Sequence, residues 1–114
     1  MERISYAGEQ LLTGTEIAQA LVAYAQALAE TGRAAAVEIP TVDEHGRPGV
    51  SQVLVGPASQ LVATEVDPGV PDPHDAALVE DLRARTTRLL GSQTAVAEPP
   101  DEESDDTFYT DYGI

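Results

Sequence analysis

The sequence predicts an α+β domain: a small antiparallel sheet in ββαβββα order, backed by two helices and followed by an acidic C-terminal tail. One long stretch carries apolar residues at helical spacing, and several short stretches alternate between apolar and polar residues with turn formers between them. From Gln93 onward the chain is dominated by Glu, Asp, Pro, Ser and Thr. Residues 1–92 therefore read as the compact domain and residues 93–114 as the tail.

The elements follow in order. "RISYAG" and "EQLLTG" form a short hairpin turning at Ala7, Gly8 and Glu9. "TGTEIAQALVAYAQALAETG" has the marks of a helix, with Thr13 and Glu16 spaced as a capping box and Gly32 placed to close the C-terminus. Ile17, Leu21, Tyr24 and Leu28 share one stripe and are expected in the core. Alanines flank that stripe on both sides, leaving a narrow polar face of Glu16, Gln19, Gln26 and Glu30. A helix so lined is contacted on more than one side, either by the chain's own second helix or by a second copy, in a homo-oligomer formed through the helix over 15–31.

"AAAVEIPTVDEHGRPGVSQVLVG" reads as a second hairpin, with Val37 and Ile39 on one face of its first arm and Val53 and Val55 on one face of the second. Asp43, Glu44, His45 and Gly46 supply the turn. Pro40 has no N–H to give to a ladder, which places its strand at an edge or at a bulge. "SQLVATEV" is a third strand of this group. In "DPGVPDPHD", Asp72 is placed to cap a second helix with Pro73 at its first position. That helix is expected over 74–90, burying Leu78, Val79, Leu82, Thr86 and Leu89, with Gly91 ending it.

Composition narrows the function. The net charge is −14, and from Glu98 onward there are seven acidic residues and no basic one. Such a surface repels phosphate backbones, so nucleic acid is not the expected partner. It suits a basic protein, and it also serves solubility alone. Without cysteine there is no disulfide framework and no thiolate site. No stretch approaches membrane-span length and no signal-type start is visible, so a cytoplasmic, membrane-free protein is expected. The absence of lysine beside abundant alanine reflects the coding bias of GC-rich bacterial or phage genomes.

Catalytic chemistry finds little support. His45 lies in a solvated turn beside Asp43 and Glu44, where general acid–base work lacks a pocket. Ser59 in "GPASQ" lacks the Gly-x-Ser-x-Gly frame of a nucleophile elbow. No phosphate-cradling glycine pattern occurs, and neither an enzyme nor a cofactor is expected. A metal-binding or small-molecule alternative uses the 67–75 loop, where Asp67, Asp72, His74 and Asp75 offer oxygen and nitrogen ligands. Asp72 and Asp75 are equally at home as acids at a helix N-terminus.

The remaining candidates concern binding. Arg85 and Arg88 share one edge of the second helix's apolar stripe, with Asp81 spaced to pair with Arg85. They either lay their stems over the core or receive the acidic tail. The tail itself holds Phe108, Tyr109, Tyr112 and Ile114, whereas the rest of the chain has only Tyr6 and Tyr24 as aromatics. Burying each such side chain is worth about 1.5–3 kcal/mol, and rings concentrate where interfaces hold their binding energy. The tail thus reads as an acidic spacer ending in a hydrophobic docking peptide. The function expected is that of a non-catalytic interaction protein, an accessory, adaptor or inhibitor subunit, with a structural subunit of a larger assembly as a further alternative.

Overall fold

The computed structural model describes residues 1–57 and 60–97. It is an α+β domain whose strands are β1 (Glu2–Tyr6), β2 (Glu9–Thr13), β3 (Ala35–Val42), β4 (Pro48–Val55) and β5 (Leu61–Glu65). The helices are α1 (Thr15–Thr31), between β2 and β3, and α2 (Ala76–Ala97), after β5. All neighbouring strands are antiparallel, in the order β4-β3-β2-β1-β5.

The first hairpin turns through two residues, since Tyr6 pairs with Glu9. Ala7 and Gly8 have φ of 53° and 82°, the positive pair that a type I′ turn requires and that matches strand twist. The second hairpin turns through Asp43–Arg47, where the Asp43 carboxylate accepts the His45 and Arg47 N–H groups at 2.8 and 2.9 Å. The same carboxylate accepts the Arg47 Nε–H at 2.7 Å. These bonds hold it well below the usual carboxylate range, at about 2, with the Arg47 main-chain N–H as the largest cause.

The sheet is not flat. β2 and β3 are paired in the ladder at a single position, Leu12 with Val42, whereas β3 and β4 pair along eight residues. The Tyr6 hydroxyl donates to the Leu54 carbonyl at 2.6 Å. In a flat sheet β1 and β4 would lie three strand spacings apart, about 14 Å, beyond a tyrosine's reach. The β3–β4 hairpin therefore doubles back toward β1.

Both helices pack into one core. Ile17, Leu21, Tyr24 and Leu28 are buried as their spacing predicts, together with Ile4, Val37, Ile39, Val53 and Val55 from the sheet and Val79 and Leu82 from α2. Leu78, Thr86 and Leu89 are half-buried around them. Ala20 and Ala27 are buried as well, and α2 of the same chain packs against α1. Gly32 closes α1 in the left-handed conformation, φ 72°, as expected.

Four local expectations are corrected. Gly14, not Thr13, precedes the first turn of α1, and no side chain caps it. Thr13 is instead fully buried at the end of β2, where its hydroxyl donates to the Pro40 carbonyl at 2.7 Å. A Cβ at position 14 would collide with the Pro73 carbonyl, so close chain approach is what demands glycine there.

At α2 the cap is Asp75, whose carboxylate accepts the Leu78 N–H at 3.0 Å; Asp72 instead pairs with the Met1 amino group at 3.2 Å. α2 starts at Ala76 and passes through Gly91 to Ala97. One glycine inside a helix costs only about 1 kcal/mol relative to alanine, too little to end it.

Finally, β3 is an inner strand of the order, and the edges are β4 and β5. Pro40 is tolerated because its carbonyl, and hence its missing N–H, faces the side of β2, where the ladder has already lapsed.

Candidate protein-binding surface

Strand alternation sends successive side chains to opposite faces, and only one face of the sheet carries the helices. The register places Val50 opposite Pro40, Gln52 opposite Glu38 and Leu54 opposite Ala36 on the other face. Val62, opposite Ser5, lies on that bare face too. Val50 is 69 % exposed, Leu54 57 % and Val62 59 %. A water-facing side of an antiparallel sheet ordinarily alternates to polar residues. Here three large aliphatic side chains stand in solvent, on the two edge strands.

The doubling back of β3–β4 brings two of them together. A depression of about 510 Å³ is lined by Ser5, Tyr6, Gly8, Leu54, Gln60 and Val62, with the Tyr6–Leu54 hydrogen bond at its wall. Sequence reasoning misses this site. Its one signal was Tyr6, one of only two aromatic residues outside the tail, at the end of a strand of the first hairpin.

The two arginines of α2 differ. Arg85 Nη2 lies 3.0 Å from Asp81 Oδ2, the i,i+4 pair read from the sequence. Its guanidinium carbon also sits 6.0 Å from the centroid of the Tyr24 ring, within cation–π range. The Tyr24 side chain, and after it the Asp81 carboxylate, raises the Arg85 pKa. Arg85 is thus committed to packing of its own helix pair. Arg88 is exposed and has no hydrogen bond or ion pair among the described residues. Phe108, Tyr109, Tyr112 and Ile114 lie outside the described residues, as does Ser59.

The 67–75 loop does not gather its ligands. Asp67 accepts the Gly69 N–H at 3.2 Å, Asp72 holds the Met1 amine and Asp75 caps α2. His74 is exposed. Among the described residues no group of three or more His, Asp or Glu side chains is placed to hold a metal ion. His45 is exposed in its turn, and its N–H serves the Asp43 carboxylate.

Among the described residues no helix is long and apolar enough to cross a membrane. The chain matches no family model, no curated protein and no solved structure.

Proposed function

We propose that this chain is a non-catalytic interaction module that binds a basic protein partner on the bare face of its sheet. The exposure of Val50, Leu54 and Val62 on one face carries the reading. Leu54 and Val62 line one depression, and apolar side chains gathered in water mark contact surfaces. The net charge of −14 favours a partner with basic residues around an apolar centre, and it speeds the encounter. The aromatic tail segment, with Phe108, Tyr109, Tyr112 and Ile114, supplies a second contact, and Arg88, exposed and without an ion pair among the described residues, is a cation that its carboxylates would suit. Exposed ion pairs give only about 0–1 kcal/mol each, so the rings would carry the tail's share of the affinity.

The test is a comparison of three full-length proteins against a captured and purified partner: the native chain, a Val50→Ser, Val62→Ser variant, and a Phe108→Ser, Tyr109→Ser, Tyr112→Ser variant. Calorimetry is expected to show weaker binding for both variants, with unfolding midpoints unchanged. Equal affinity of the native chain and the Val50→Ser, Val62→Ser variant would remove the sheet face from the interface. Equal affinity of the ring variant would remove the tail.

A further inference from the structure

The outer edge of β5, separate from the bare face, has no strand paired to it among the described residues. The Val66 N–H donates to the Met1 carbonyl at 3.0 Å, which fixes the even-numbered positions of this strand as those that bond β1. The N–H and C=O groups of Leu61, Ala63 and Glu65 consequently point the other way, to the open side, and find no partner among the described residues. An open row of this kind is a template for another strand.

Two features say what that strand should be. Beside the edge runs a groove of about 390 Å³ between β5 and the flank of α1, lined by Ala18, Val22, Ala23, Gln26, Glu2 and Ala63. Its apolar lining is Ala18, Val22, Ala23 and Ala63, which suits a small aliphatic side chain beside Ala63. At its end Glu2 stands directly opposite Glu65, and neither has a cationic partner among the described residues. Like charges directly opposed across a ladder are destabilising. Arg3, the nearby cation on β1, alternates to the other face, opposite Thr64.

We infer that the β5 edge accepts an extended, basic peptide segment by strand addition, with an Arg or Lys side chain set beside Glu65 and Glu2 and a small aliphatic side chain opposite Ala63. Charge selects this occupant over two others. The chain's own tail brings seven carboxylates and no cation, and a second copy brings another net charge of −14. Main-chain hydrogen bonds supply the affinity in this mode, and alternate side chains supply the specificity.

The probe is the end-capped heptapeptide SRTVTVS, which run antiparallel to β5 sets its Arg opposite Glu65 and its first Val opposite Ala63. Titration into the full-length, isotope-labelled protein should shift the amide signals of Leu61, Ala63 and Glu65 and slow their hydrogen exchange. N-methylation of that Val, which deletes one ladder donor, should weaken binding about fivefold, and Glu in place of the Arg should weaken it at least as much. Ala63→Pro removes the protein's own outward donor without touching the β1 ladder and should weaken binding similarly. Equal binding of the N-methylated peptide would reduce the contact to charge alone and overturn strand addition. So would amides of Leu61, Ala63 and Glu65 that stay unshifted at saturating peptide. Protection of those amides without peptide also overturns the inference: if it grows with protein concentration the edge belongs to a second copy, and if it is constant on dilution, to the tail.

Discussion

Ile39 on β3 and Val50 on β4 are aliphatic residues on paired strands of one hairpin, yet Ile39 is fully buried and Val50 is 69 % exposed. The difference lies in parity. Ile39 and its partner Ser51 face the helices; Val50 and its partner Pro40 face away. Side-chain chemistry alone does not decide burial in a sheet, since the covering elements decide which of the two alternating sets becomes core. The set left over is then available to a partner, and this hairpin keeps apolar residues in it.

The widest contrast between the two faces is expected from truncating one residue on each. Ile39→Ala should lower unfolding free energy by about 2–5 kcal/mol in urea denaturation. Val50→Ala should change it by no more than about 0.5 kcal/mol. A cost for Val50→Ala in the range of the core residue would mean that the bare face is covered in the free protein, and the proposed surface would be lost.

A smaller effect should come from Thr13, which is buried yet polar. Thr13→Val keeps the shape and deletes the hydroxyl, leaving the Pro40 carbonyl without its donor, at a cost of about 1–3 kcal/mol. An unchanged midpoint would show that solvent reaches that carbonyl, and that the junction of β2 and β3 is wetter than the covered face elsewhere.

The finest probe is the turn that fixes which residues point to which face. A slip of one residue in the β3–β4 register would exchange the two sets, and the Asp43 bonds oppose it. Because the folded carboxyl pKa, about 2, lies below its ordinary value of 3.8, its contribution to stability is complete above about pH 4 and is lost as pH falls toward 2. Carbon-detected NMR titration should place the Asp43 midpoint near 2. In Arg47→Ala it should rise only part-way toward the ordinary value, because the Arg47 main-chain N–H, the largest cause, stays in place. A full return would assign the depression to the guanidinium instead.

Much of this was legible in the chain. Element order follows from periodicity, the positive φ of Gly8 and Gly32 follows from glycine's freedom, and the Asp81–Arg85 pair follows from helical spacing, whereas the turn is tighter than read, with Glu9 in β2 and Ala7 at φ 53° against its own Cβ sterics. The errors share a cause. Thr13, Asp72 and Gly91 each carry a local signal that can serve more than one end, and the outcome rested on distant residues: Pro40 for Thr13, and the Met1 amine for Asp72. Gly91 lies inside α2, where its propensity cost is too small to end the helix.

The candidate surface divides the same way. That Val50, Leu54 and Val62 oppose the core set could be read from alternation, and that the chain is strongly acidic could be counted. The depression between Leu54 and Val62, the contact of Arg85 with Tyr24, and the opposition of Glu2 and Glu65 at an open edge could not. Sequence by itself determined the kinds of element and which residues of a strand share a face, because those depend on neighbours a few positions away. Only the tertiary structure decided which strands became edges and which distant side chains met, because pairing across 48 positions, as between Tyr6 and Leu54, is set by how the whole core closes.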